Sequence, residues 1–403
     1  MSETKQNEKA IEQNRTRPDV LFVITDFQVG GSERQLALLA SGLAKDGMNV
    51  AAFSFMDGPI RMDLQRAGVD AILALGAERS YRGNIIGLSL AALHLLWLML
   101  RRRPRIVHFF LPKAYLVGAP LAVLAGVAVR VMSRRSLNTY QRWSIIRITE
   151  RCWHCLMQAV IGNSKSVVEQ LMTEGVGRER AGLIYNGLDE TKFSANGTRE
   201  EMLAALGLPP SALTMSIVAN LIPYKGHSDL NEALALAAPH LPTGWRLLVA
   251  GRDDGIGTAL KQQARRLGLE NHVMFLGPRG DIARILRASD IGIVSSHEEG
   301  FSNVILEGMA AALAMVVTRV GGNAEAVING ETGLVVPAHD PQGLSDAILR
   351  LAGDAALRAK FGDAGRQRVT EYFSLDRLIE SHLKLYQALN DGRRPCDVPE
   401  VCI

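Results

Sequence analysis

The chain has 403 residues, 47% of them hydrophobic and 21% charged, and a net charge of +4. This is enough chain for two ordinary domains, and the composition excludes a disordered protein. No apolar run reaches the roughly 18–20 residues that a membrane span needs.

The charge is unevenly placed. Through Gly187 there are 24 Lys/Arg and 15 Asp/Glu, a balance of +9; beyond it there are 21 and 26, a balance of −5. A basic first half suits an anionic surface or substrate. Nucleic acid is not the expected partner, because the basic residues are not interleaved with aromatics and no nucleic-acid-binding motif is present. Four cysteines and a polar stretch over 1–17 with no apolar core fit a cytoplasmic protein whose first residues form a disordered tail.

Taken in order, the chain alternates. Asp19 to Thr25 is a short, continuous apolar run and reads as a buried parallel strand. Gly30-Gly31 then opens a helix at Ser32. A glycine turn at that place lets backbone approach a phosphate. Val50–Phe55 reads as strand, Pro59–Ala67 as helix, Leu88–Arg103 as helix and Pro104–Phe110 as strand. Lys113–Gly126 reads as helix, Val127–Met132 as strand, Arg142–Met157 as helix, Ala159–Gly162 as strand, Ser164–Glu174 as helix and Gly182–Tyr185 as strand.

The turn-rich stretch from Asn196 to Ser211 reads as a boundary. The alternation restarts with strand Thr214–Ala219. Helix from Gly226, strand Arg246–Ala250, helix from Thr258, strand Val273–Leu276 and helix Ile282–Ala288 follow. The last strands are the Ile291 run, Ala314–Val320 and Gly333–Val336. Such alternation predicts two doubly wound, parallel α/β sheets covered by helices, with a cleft between the carboxyl ends of both.

One stretch concentrates the chemistry: Ser295-Ser296-His297-Glu298-Glu299-Gly300-Phe301-Ser302-Asn303-Val304-Ile305-Leu306-Glu307. A strand feeds it and a helix leaves it, so its acidic loop sits at the carboxyl end of a strand, where open α/β sheets bind ligands. Ser302 or Asn303 is the expected N-cap, which aims a helix N-terminus at the loop. Phosphate suits that end, and paired carboxylates suit sugar hydroxyls.

Three other stretches carry rival readings. Cys152-Trp153-His154-Cys155 lies in a helical run with no second ligand pair, which favours packing over metal or redox chemistry. Leu88 to Leu100, followed by Arg101-Arg102-Arg103, is either a buried crossover helix or an interfacial one on an anionic membrane. Cys396 and Cys402 fall in an expected mobile tail, 391–403.

The glutamate pair in Glu-Gly-Phe-Ser-Asn-Val-Ile-Leu-Glu resembles the signature of retaining GT-B glycosyltransferases of family 4, a group that includes many bacterial lipopolysaccharide and exopolysaccharide transferases. The resemblance extends over roughly Pro18 to Leu389. It includes Gly30-Gly31-Ser32-Glu33, Arg105-Ile106-Val107-His108, Ile161-Gly162-Asn163-Ser164 and Tyr185-Asn186-Gly187-Leu188-Asp189. Tyr224-Lys225-Gly226-His227, Phe275-Leu276-Gly277 and Gly321-Gly322-Asn323-Ala324-Glu325 continue it.

The resemblance implies an acceptor-binding Rossmann-like domain over 18–190 and a donor-binding domain over 191–372. It also implies a C-terminal helix, 373–390, returning to the first domain. In that picture Glu299, with the backbone of Gly300, Phe301 and Ser302, holds the donor hexose. Glu307 takes the ribose, and Asn303 and Val304 open the helix toward the diphosphate. Lys225 neutralises the leaving diphosphate. Gly277 and Arg279 meet the base, Gly31 lies near the phosphates and His108 reaches the transferred sugar.

The implied partners are a nucleotide sugar and a glycan or polyprenyl-linked acceptor. No metal or other cofactor is expected. The chain departs from the family pattern at Asn220, where many members carry Arg, and at His108-Phe109-Phe110, where many carry His-x-His. A third departure is Gly251-Arg252-Asp253-Asp254-Gly255, in place of Gly-Asp-Gly-Pro. Two rivals stand beside this reading: a nucleotide-sugar epimerase, which shares the architecture, and a catalytically dead carbohydrate-binding or scaffold subunit, which the missing Arg at 220 allows.

Overall fold

The computed structural model describes residues 17–77, 85–137, 144–193 and 198–403. The tail expected over 1–17 lies almost wholly outside them, as does Arg142. Contacts divide the chain into two units, one running to Gly187 and resuming at Leu375, the other Leu188–Ser374.

The first unit has seven strands: β1 (Val20–Asp26), β2 (Val50–Met56), β3 (Asp70–Leu73), β4 (Ile106–Phe110), β5 (Val129–Arg134), β6 (Ala159–Gly162) and β7 (Ala181–Leu183). They form one parallel sheet in the order β3-β2-β1-β4-β5-β6-β7. From Val20 to Ile24 β1 is apolar without a break because helices cover both faces. Val20, Phe22 and Ile24 enter one core layer, and Leu21 and Val23 the other. That is the two-residue period of a strand buried on both sides.

The C-terminal helix Leu375–Asn390 belongs to this unit and places Leu378, Leu385 and Tyr386 in the first layer. Gly42 lets it approach, since a Cβ there would lie 2.2 Å from Ile379 Cδ1. The segment expected to be a mobile tail folds back instead. Val398 and Val401 are buried, and Leu183 N donates to Val401 O at 2.9 Å.

A buried ion cluster closes the far side of this sheet. Arg134 donates to Glu150 at 2.5 Å and grips both oxygens of Glu174 at 3.2 and 2.9 Å. Burial alone pushes the Glu174 carboxyl up, but hydrogen bonds from His154 and Arg134 outweigh it and hold the group down at about 2. Near it, Trp153 and His154 pack inward while Cys152 and Cys155 are exposed free thiols. Packing in that tetrad therefore rests on its middle residues alone.

The second unit holds β8 (Thr214–Val218), β9 (Arg246–Ala250), β10 (Val273–Gly277), β11 (Ile291–Val294), β12 (Ala314–Thr318) and β13 (Gly333–Val336). Their order is β10-β9-β8-β11-β12-β13, again parallel. The sequence reading missed β3, four residues without a pattern. It also missed helix Arg199–Ala205 inside the presumed boundary. That helix has a complete capping box, Thr198 with Glu201, a signature visible in the sequence.

Candidate active site

In the second sheet the chain leaves β8 toward one edge and β11 toward the other, so the strand order reverses between these neighbours. Loops leaving the carboxyl ends of two such strands splay apart and leave a crevice. The loop after β8 carries Asn220 and Lys225; the loop after β11 carries Glu299. The topology therefore brings together residues more than seventy positions apart.

Lys225 ends a short 3-10 turn, Pro223–Lys225, and Gly226 follows with φ +67. A Cβ at Gly226 would lie 1.9 Å from Ser295 O. Glycine thus lets the two loops touch, and Ser295 Oγ donates to Lys225 O at 3.0 Å. Lys225 Nζ reaches Glu299 Oε1 at 2.6 Å, with side chains only 19% and 12% exposed. Ser296 Oγ donates to the same carboxylate oxygen at 2.8 Å. Ser296 is fixed in turn by Thr318 Oγ1, which donates to its carbonyl at 2.5 Å. Asn323 Nδ2 donates to Thr318 O at 3.1 Å. A carboxylate held on one oxygen by an ammonium and a hydroxyl is pre-oriented to accept ligand hydroxyls on the other.

The backbone beyond Glu299 is equally constrained. Gly322 N donates to Gly300 O at 2.8 Å. Gly321 has φ +48, and a Cβ there would lie 1.9 Å from Glu299 O. Phe301 is buried against Phe373, ring centroids 5.4 Å apart. Ser302 is the N-cap of helix Asn303–Ala310, although its side chain makes no capping bond. In that helix Asn303, Val304 and Glu307 are half-buried while Ile305, Leu306, Gly308, Met309 and Ala310 are buried. The three predicted donor-facing residues therefore share the one face that the core does not take.

Other predicted positions are placed less simply. Asn220 Oδ1 accepts from Arg252 N at 3.2 Å. Arg252 pairs with Asp254 at 2.6 Å, and Arg279 with Asp281 at 2.7 Å. Gly277 takes φ +69 and its carbonyl accepts from Gly251 N at 2.9 Å. A cavity of about 300 Å³ lined by Glu190, Arg287, Ala311 and Arg366 lies at the C-terminal end of helix Asn303–Ala310, and neither glutamate of the pair lines it.

In the first unit the expectations change. Gly31 begins helix Gly31–Lys45, but the Glu33 carboxylate lies over Gly30, with Oε2 2.2 Å from where a Cβ would be. Burial and the nearby Asp26 charge push that carboxyl up to about 7, against a lowering backbone hydrogen bond.

His108 does not stand at an open surface. It is completely buried, and its ring nitrogens share hydrogen bonds with Tyr386 Oη at 2.7 Å and Ser133 Oγ at 2.8 Å. Burial, with His382 and Arg135 nearby, drives its pKa well below the usual range. It is a neutral core histidine, and both ring nitrogens are already taken, so it does not make the sugar contact expected of it. Ser296 and Gly321 stood in stretches picked out from sequence but were given no role, and Thr318 was not singled out at all.

A parallel sheet with a switch-point crevice and a lysine–glutamate pair inside it make an α/β ligand site at the carboxyl ends of β8 and β11. Residues 29–192 match the Glycosyltransferase Family 4 model and residues 212–354 match Glycosyl transferases group 1. The chain belongs to this family of glycosyltransferases and has its GT-B fold of two Rossmann-like domains.

D-inositol 3-phosphate glycosyltransferase of Corynebacterium glutamicum is 26% identical over 359 residues, covering 83% of this chain and 86% of that protein. The enzyme of the same name from Saccharomonospora viridis is 33% identical over 210 residues, 50% of this chain and 48% of that one. The chain spans about half the length of most of the curated relatives it matches. Among solved structures, Alr3699/HepE of Anabaena in complex with UDP superposes with a TM-score of 0.80 at 22% identity, over 92% of this chain and all of that one. The same protein has also been crystallised with UDP-glucose.

Proposed function

We propose that the protein transfers a hexose or N-acetylhexosamine, with retention, from a nucleoside diphosphate sugar to a glycan or polyprenyl-linked acceptor in cell-surface polysaccharide synthesis. The observation that carries this reading is the Lys225–Glu299 pair at the switch point of the second sheet. The UDP and UDP-glucose complexes of Alr3699/HepE favour uracil as the base.

In this reading Glu299 orients the hexose hydroxyls and Glu307 takes the ribose. The acceptor oxygen bonds to the anomeric carbon on the face from which the diphosphate departs. The anomeric C–O bond breaks with its electron pair going to the diphosphate, and the acceptor proton passes to the leaving phosphate oxygen. Lys225 and the start of helix Asn303–Ala310 meet the charge that develops. The scheme calls for no metal.

The polyprenyl-linked acceptor is supported by the helix Ile85–Arg102. Its inner face, Ala91, Leu95, Leu98 and Met99, is buried; Ile86, Leu90, Leu93, Trp97 and Leu100 are exposed. That spacing is one continuous stripe of an amphipathic helix. Exposed Arg101, Arg103 and Arg105 flank its end. Apolar residues beside arginines suit an anionic bilayer surface. Among the described residues no helix is long and apolar enough to cross a membrane. A second reading, a small phosphorylated acceptor, follows from the name shared by the relatives above.

A thermal-shift screen over nucleotide sugars, followed by transfer assays, tests the reading, because a bound donor raises the melting temperature. Glu299→Gln is expected to lower transfer about 100- to 1,000-fold while the protein stays folded. Wild-type activity in that variant would overturn the site assignment. Donor turnover without acceptor would favour the epimerase, and donor binding without transfer the inactive subunit.

A further inference from the structure

Beside the glutamate loop lies a cluster that the transfer scheme does not use. Asp229 sits in the first turn of helix His227–Ala237, His297 in the loop after β11, and His339 in the turn after β13. Three separate stretches thus converge. His297 Nε2 lies 2.9 Å from Asp229 Oδ2, and His339 Nδ1 lies 3.8 Å from the same oxygen. The two imidazole rings are 3.8 Å apart between centroids, tilted by 35°. One ligand atom from each residue falls within 4.8 Å of the others.

We propose that Asp229, His297 and His339 bind a divalent transition-metal ion of the zinc class. An ion about 2.0–2.1 Å from each nitrogen and oxygen holds its ligand atoms about 3.3 Å apart in a tetrahedron. The observed 2.9 and 3.8 Å lie on either side of that spacing. Two imidazoles with one carboxylate select zinc, cobalt, nickel or copper, whereas magnesium and calcium prefer oxygen alone. Water completes the coordination on the outer side, where His339 is 67% exposed.

His339 adopts φ +59, a left-handed backbone uncommon for a residue with a side chain. In that conformation its ring lies against that of His297. The backbone of His297 is itself anchored, its amide N–H donating to Tyr224 O at 2.7 Å. A bound ion would tie the loop leading into Glu299 to the helix that follows Lys225. The metal assignment stands apart from the catalytic reading; only this coupling to the donor loop rests on it.

The site is tested on the full, tag-free chain by calorimetric titration with Zn²⁺ and by the visible d–d bands of Co²⁺. One ion per chain is expected in the wild type. His339→Gly is expected to weaken binding at least tenfold and to keep the fold, because glycine tolerates φ +59 without cost. His297→Gln checks the result from a second ligand. No ion bound by the wild type, or wild-type affinity retained in both variants, would overturn the proposal. So would a thiolate charge-transfer band from Co²⁺, which would put the ion on one of the four free cysteines.

Discussion

Gly321 offers a sharp test of how the glutamate loop is held. Replacing it with alanine adds a Cβ 1.9 Å from Glu299 O and 3.0 Å from Gly300 O, at φ +48. Both obstacles are backbone, so no side chain can rotate away. The left-handed backbone costs about 1–2 kcal/mol for a non-glycine residue, and overpacking adds about 1–3 kcal/mol. Gly330 is the control: it has φ +81 and nothing within 4 Å of a Cβ, so Gly330→Ala carries only the first cost. Thermal unfolding should place Gly321→Ala several degrees below Gly330→Ala. To relieve the clash the Glu299 carbonyl must move by about 1 Å, and a misplacement of that size costs about 100-fold in rate. Transfer should therefore collapse in Gly321→Ala and survive in Gly330→Ala. Equal melting temperatures and equal rates in the two variants would refute the close approach and the dependence of Glu299 on it.

Asn220→Arg should tighten donor binding about three- to thirtyfold, because a charge-assisted hydrogen bond to the diphosphate outweighs the loss of the weaker one from Arg252 N; calorimetry showing no tightening would move the diphosphate elsewhere. Glu174 titrates near 2 in the folded chain, below its unfolded value, so between about pH 4.5 and 2 the native state binds fewer protons. Its stabilisation is present above that window and lost as pH falls through it. Glu174→Gln should cost about 3 kcal/mol at neutral pH by leaving buried Arg134 underpaired and flatten the acid limb of a stability–pH curve; an unchanged limb would refute the assignment. Leu93→Glu with Trp97→Glu should abolish flotation with anionic vesicles at low salt, and equal flotation of variant and wild type would sink the membrane reading.

Much of the fold was legible because the chain repeats one physical solution. A strand such as β1 must be apolar where both faces are covered, from Val20 to Ile24, and the helices between strands begin and end at glycines and caps. The losses are equally physical. β3 is four residues with one buried position, too short to show a period. The helix at Arg199 was hidden by turn-like composition although its capping box was in plain view. For the site, the glutamate motif located Glu299, but nothing near it in sequence reveals that Thr318 fixes Ser296, because that hydrogen bond depends on the register of β11 on β12. His108 failed for a related reason. Its partner Tyr386 lies 278 residues away, and a histidine at a strand end looks the same in sequence whether or not a distant helix covers it.

The absence of arginine at 220 need not leave the diphosphate side without positive charge. Asn220 Oδ1 bonds to the backbone of Arg252, so the loop after β9 brings an arginine next to the position that lacks one. Arg252 is paired with Asp254 in the free protein, and Arg279 with Asp281. Solvent-exposed pairs of this sort contribute little and open readily. The Lys225–Glu299 pair differs, being largely withdrawn from water, and separating it is costly. On the proposed reading, donor binding leaves Lys225 with Glu299 and recruits Arg252 from its aspartate. Adding a second cation at 220 then duplicates part of what Arg252 supplies, which puts the tightening from Asn220→Arg toward the lower end of its range.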